Sequence, residues 1–243
     1  ILVFITGVGS STFHPSTYSI VSEKMGREHL AKSLAFHQFG GFLGGAAGTV
    51  LVAYLGSLIG WRYALLALPV PGILIIAAFW VTVKEEPKEL RTNPTEVLKG
   101  FPSENSEFKL TAALLLIILF SFFSVLGDVT SNFLPAFLGN VYGSSVVDAG
   151  ALASILQFVG CVGLLAGGTV ADKLDKVNLT STSQFIFGAL VVLLASTNLL
   201  PPLLVLTIAA VGFFKFFAGP SIHALTSLTT PARARGRAFG LTF

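Results

Sequence analysis

The chain has little charge and almost no sulfur. Only 11% of its 243 residues are Asp, Glu, Lys or Arg, and the mean hydropathy is +0.81. That composition excludes an ordinary soluble domain. A single cysteine, Cys161, excludes an internal disulfide and reads as a small packing residue in an apolar helix. No Gly-Lys-Ser/Thr phosphate loop, His-Glu-x-x-His zinc site or Gly-x-Ser-x-Gly nucleophile elbow occurs. These gaps argue against an ATP-driven pump and against an intramembrane enzyme. No metal and no cofactor are expected. No signal peptide is visible either.

What is present is apolar sequence in long runs. Seven runs read as membrane spans, at about 1–22, 34–55, 62–83, 110–138, 147–170, 178–199 and 202–229. Each is close to the ~20 residues a helix needs to cross a bilayer. The expected fold is an all-α membrane protein, a polytopic bundle of seven full helices plus the start of an eighth. The sequence opens inside a run at Ile1 and stops at Phe243 as a new one begins, so it reads as part of a longer chain.

The loops between runs alternate in charge. Lys24, Arg27 and Lys32 lie in the first. Lys84, Lys88, Arg91, Lys99 and Lys109 lie in the third, Lys173 and Lys176 in the fifth, and Arg233, Arg235 and Arg237 in the tail. These are thirteen of the fifteen Lys and Arg residues. Basic loops stay in the cytoplasm. The expected orientation is therefore an external residue-1 end, with a cytoplasmic 84–109 loop and C-terminal end, in the plasma (inner) membrane. The pI near 9.1 reflects this bias and not a nucleic-acid patch, so no nucleic-acid partner is expected. The segment 84–109, with Pro87, Pro94 and Pro102, reads as a linker between residues 1–83, the last three helices of one bundle, and 110–243, a second bundle.

The first and seventh runs align at an offset of 205 residues. Gly7 matches Gly212, Pro15 matches Pro220, Ser16 matches Ser221 and Ser22 matches Ser227. Both then enter a loop with a Gly-Arg pair, Gly26-Arg27 and Gly236-Arg237. A parallel repeat six helices apart is the arrangement of the two halves of a major facilitator transporter.

Local motifs agree. Gly-Gly-Thr-Val-Ala-Asp-Lys-Leu-Asp-Lys at 167–176 resembles the Gly-x-x-x-Asp-Arg/Lys loop of the major facilitator superfamily. Gly-Val-Gly-Ser-Ser-Thr-Phe-His-Pro at 7–15 resembles that superfamily's fourth helix, especially in the branch that includes fosmidomycin resistance proteins. Gly40, Gly41, Gly44, Gly45 and Gly48 resemble its glycine-rich fifth helix, with Thr49 where proton antiporters usually carry proline. Gly60-Trp61-Arg62 resembles the loop before the sixth. The resemblance implies helices four to ten and the start of eleven. It also implies a secondary transporter for a small organic solute or drug, with proton-coupled efflux as the first reading. Uptake of a small organic anion is the alternative. A seven-helix receptor or photoreceptor is the remote one, because the 205-residue repeat has no place in it. The implied partners are the lipid bilayer, a small-molecule substrate and protons.

Candidate site residues follow from polarity inside the spans, since a charge at mid-bilayer costs about 2.5–3.5 kcal/mol and persists where it faces a cavity or partner. Asp128 and Lys215 are expected to pair, or to sit close enough to share a substrate. Ser10, His14 and Tyr18 form one polar face, and His14 is a proton carrier by its chemistry. Asn132 and Gln157 complete the candidate cavity, with His37, Gln38 and His223 as further polar positions. Gly167, Gly168, Asp172, Lys173, Arg27 and Arg237 are the candidate cytoplasmic gate, with Asp172 expected to pair with Lys173, Lys176 or another basic residue. Pro15 and Pro220 are expected to kink their helices, and Gly40, Gly44 and Gly48 to serve close packing. Asp148 is expected to cap the fifth run.

Overall fold

The computed structural model describes residues 13–82, 110–196, 198–231 and 234–242. Ser10, Gly7, Arg233 and the 84–109 segment lie outside the described residues. Ten α-helices follow in order: α1 Phe13–Lys24, α2 Leu30–Ile59, α3 Trp61–Ala67, α4 Pro69–Thr82, α5 Leu110–Tyr142, α6 Val146–Ala171, α7 Lys176–Ser196, α8 Pro201–Phe217, α9 Gly219–Thr229 and α10 Arg235–Thr242. A 3-10 turn, Arg27–His29, leads into α2. No strand occurs among the described residues.

Five stretches are long and apolar enough to cross a membrane: Arg27–Ile59, Trp61–Thr82, Val146–Ala171, Lys176–Ser196 and Pro201–Thr229. Helix α5 runs for 33 residues. Only helices satisfy every backbone group inside lipid without a closed barrel, and the apolar surface fits that solvent. Every residue of α4 is exposed, including Phe79 and Trp80. The chain is a polytopic helical membrane bundle.

The ends of the helices have local causes. Ser145 caps α6: its hydroxyl accepts from the Asp148 amide at 3.1 Å and donates to the Asp148 carboxylate at 2.7 Å. Thus Asp148 sits at the third position of the helix and Ser145 is the cap. Gly60 closes α2 at φ +83°, and Gly143 turns the chain between α5 and α6 at φ +66°. Pro201 and Pro202 open α8. The seventh run breaks at Ala218, between α8 and α9, because Pro220 lacks an N–H and its ring obstructs the preceding turn. Pro15 lies in the first described turn of α1, so a bend there involves residues outside the described ones.

Helix α6 lies between α2 and α8. Gly160, Gly163 and Gly167 form one face, where a Cβ would collide with the Phe216 ring and the Phe213 and Phe217 carbonyls of α8. Gly212 approaches the Leu156 carbonyl from the other side. Gly150 and Gly168 form the α2 face, against Ala53 and Ala35. Such small-residue faces let membrane helices approach backbone to backbone. Among the described residues a Cβ at Gly40, Gly44 or Gly48 meets nothing within 4 Å, and in this stretch Gly45 makes the close approach.

The turns at 25–29 and 172–175 and the start of α10 gather at one end of the bundle, the basic end, since Asp172 reaches Ala31 and Arg235 reaches Ser22.

Candidate functional site

Lys215 falls midway along the Pro201–Thr229 stretch. Its Nζ donates to Asp128 Oδ1 at 3.0 Å and to Ser131 Oγ at 2.7 Å. Gly127, Asp128 and Ser131 belong to one turn of α5, and this turn forms the cradle. A side chain at Gly127 would meet Lys215 Cε at 3.2 Å, so glycine leaves room for the lysine stem. The Nζ also lies 4.9 Å from the Phe216 ring centroid. The pair is unequal. The Lys215 side chain is 11% exposed and that of Asp128 67% exposed. One turn further on, Asn132 is exposed.

A second cluster lies nearer the basic end. The ring of Tyr18, fully buried, is 4.8 Å from His223, 5.5 Å from His37, 5.9 Å from His14 and 5.2 Å from Phe239, centroid to centroid. The Gln38 amide donates to the Tyr18 hydroxyl. Three histidines from α1, α2 and α9 thus surround one tyrosine. Sequence reasoning left them apart, because they sit on different helices with no shared spacing. One signal was available: Tyr18 and His223 are themselves 205 residues apart.

Gln157 is at a helix joint. Its Nε2 donates to Thr49 Oγ1 at 3.1 Å, and its Oε1 lies 2.9 Å from where a Cβ on Gly45 would stand. It ties α6 to α2.

At the basic end the expected charge latch takes another form. Asp172 does not pair with Lys173 or Lys176. Its two carboxylate oxygens accept from the backbone amides of Ala31 at 3.0 Å and Lys32 at 3.1 Å. These are the second and third residues of α2, whose own N-cap residue, His29, makes no side-chain bond. The carboxylate replaces the missing cap from across the bundle. Gly167 and Gly168, one turn earlier, make the close approaches to α8 and α2. Lys173, Arg27 and Arg237 are exposed. The basic residue engaged here is Arg235, fully buried, whose Nη1 donates to the Ser22 carbonyl in the last turn of α1 at 3.3 Å. Burial lowers the Arg235 pKa from its usual value, while the Glu23 carboxylate raises it. Among the described residues no group of His, Cys, Asp and Glu has the disposition to hold a metal ion.

The fosmidomycin resistance protein of Escherichia coli (strain K12) is 26% identical over 178 residues, which cover 71% of this chain. They span 42% of that protein's length. The family model for the Major Facilitator Superfamily matches residues 1–243, the whole sequence, and the chain therefore belongs to that superfamily.

Proposed function

We propose that this chain forms part of a secondary transporter that moves a small organic solute by alternating access, with proton-coupled efflux as the direction. The observation that carries the reading is Lys215. A lysine midway along an apolar stretch, bonded to Asp128 and Ser131, is a costly feature that packing alone does not require. Membership of the superfamily supplies the cycle: two bundles rock about a midplane site and expose it to each side in turn. The parts are residues 1–83 and 110–243, with 84–109 as the joint. The positive-inside rule puts the basic end in the cytoplasm. Asp172, Arg235 and the Tyr18 cluster are then the cytoplasmic closure, and Asp128 and His14 the candidate proton carriers. Likeness to the fosmidomycin resistance protein favours efflux of a drug. Uptake of a small organic anion is the second reading, favoured by the buried Lys215 amine.

The test expresses the protein, with whatever flanks this chain in its gene, in a fosmidomycin-sensitive Escherichia coli host. Efflux predicts a higher inhibitory concentration of fosmidomycin. In inside-out vesicles it also predicts that adding substrate dissipates an imposed pH gradient. Unchanged gradient dependence in an Asp128→Asn, His14→Ala double variant removes proton coupling through these residues. Transport into energised right-side-out vesicles would reverse the direction.

A further inference from the structure

Lys215 and Asp128 differ in how much each needs the other. The lysine is almost wholly covered by protein, so its charge requires an anion beside it. Two-thirds of the Asp128 side chain is left uncovered by the described residues. Asp128 can swing away at small cost, but Lys215 cannot stay charged without a counterion. The cradle offers more than the carboxylate. Ser131 presents its hydroxyl to the same amine, and Pro135, four residues on, cannot donate to the Ser131 carbonyl, which leaves this turn of α5 looser than a regular helix. An ammonium has three N–H donors, and Asp128 and Ser131 take two.

We propose that Asp128 is a displaceable counterion, and that the transported solute carries an anionic oxyacid group which takes its place on Lys215, beside the Ser131 hydroxyl. The proposal rests on the transport reading above for placing a solute at mid-span. It goes further by fixing the charge of the solute and the atom that meets it. Empty, the site is neutral because Asp128 closes on Lys215. Loaded, it is neutral at the amine because the solute does so, and Asp128 is released towards its open side. Solute and aspartate therefore compete for one cation.

Competition makes a prediction that simple attraction does not. The probe is phenylphosphonate, with its uncharged dimethyl ester and the tetraphenylphosphonium cation as contrasts. The readout is the ligand-dependent rise in unfolding temperature of the detergent-solubilised protein. Phenylphosphonate stabilises the parent and the ester does not. Lys215→Gln abolishes the effect. Asp128→Asn, assayed at pH 6 so that the amine keeps its proton, strengthens it, by about tenfold in apparent Kd where Asp128 occupies the amine nine-tenths of the time. The double variant Asp128→Asn, Lys215→Gln leaves no unpaired charge behind, so it keeps its fold and binds nothing. Phenylphosphonate binding that survives in the double variant, or weakens in Asp128→Asn, overturns the proposal. So does binding of tetraphenylphosphonium that depends on Asp128, which makes the carboxylate the ligand group and the solute a cation. Vesicle transport separates the two readings. Transport of tetraphenylphosphonium without phenylphosphonate binding overturns the anion site and leaves the transporter. Binding without transport of any probe leaves the anion site and removes the transporter.

Discussion

Asp172 and Arg235 hold opposite sides of one short turn. Asp172 faces the amide end of α2 and Arg235 the carbonyl end of α1, and the turn between them is 25–29. Each charge has the sign that the helix end favours. Loss of an N-cap acceptor costs about 0.5–2 kcal/mol, and the interaction of a charge with a helix end adds about 0.3–1 kcal/mol. Asp172→Ala should therefore loosen the basic end by about 1–2 kcal/mol, and Asp172→Asn by less, because one oxygen still accepts. The measurement is maleimide labelling of Ala35→Cys, which is buried beside Gly168 in the parent. Labelling should speed up in the order parent, Asn, Ala, and identical rates would show that the carboxylate adds nothing. Arg235→Ala should speed it too, by freeing the Ser22 carbonyl. The place of Asp172 at the end of a helix could be read from sequence, but its partner could not. Backbone amides carry no sequence signature, whereas Lys173 and Lys176 stood beside it. Arg235 is no different in pattern from Arg233 and Arg237, and only packing distinguishes it.

At the scale of the helix, glycine placement decides which faces can meet. A methyl group at Gly163 or Gly167 has a backbone carbonyl of α8 in its way, so α6 and α8 must move apart. Overpacking of this kind costs about 1–3 kcal/mol. Gly163→Ala and Gly167→Ala should each lower the unfolding temperature in detergent. Gly44→Ala meets nothing among the described residues and should not. A drop for Gly44→Ala equal to that for Gly167→Ala would mean that other parts of the protein cover that face. The helices were legible from apolar length, and their ends less so. The expected run 34–55 became Leu30–Ile59 because Asp172 caps it from outside the segment, which no local pattern records. The runs at 62–83 and 202–229 each divide at a proline, before Pro69 and before Pro220. Gly167 and Gly168 stood out within the 167–176 motif, whereas Gly160 and Gly163 belong to no motif. The spacing of Gly160, Gly163 and Gly167, three and then four residues apart, is the single-face signal that was available.

For the whole molecule, the contact between Tyr18 and His223 has a geometric meaning. Two positions related by rotation about an axis touch only where they lie beside that axis. Positions 18 and 223 share the 205-residue offset, and their rings are 4.8 Å apart. Ser22 and Ser227, at the same offset and one turn nearer the basic end, are both fully buried. On the transport reading proposed above, the axis of the repeat runs between α1 and α9, whose last turns carry the Tyr18–His223 contact and the buried Ser22 and Ser227. Tyr18 is six residues from the end of α1, about 9 Å at 1.5 Å per residue. Rocking that opens the basic end must part this contact first. The α2–α6 joint is different. It runs the full length of the bundle, from Asp172 with Ala31, through Gln157 with Thr49, to Gly150 with Ala53. A joint so long and so close can slide or pivot but not separate without exposing Gln157 and Asp172. Two cross-links distinguish the roles. Tyr18→Cys with His223→Cys, joined by a short bifunctional methanethiosulfonate, should hold the basic end shut. Transport should fall to background and return when the link is reduced. Ala53→Cys with Gly150→Cys, joined in the same way at the other end of the α2–α6 joint, should leave most transport intact if that joint is the pivot. Loss of transport with the second link and not the first would reverse the assignment, making the axis contact static and the α2–α6 joint the moving gate.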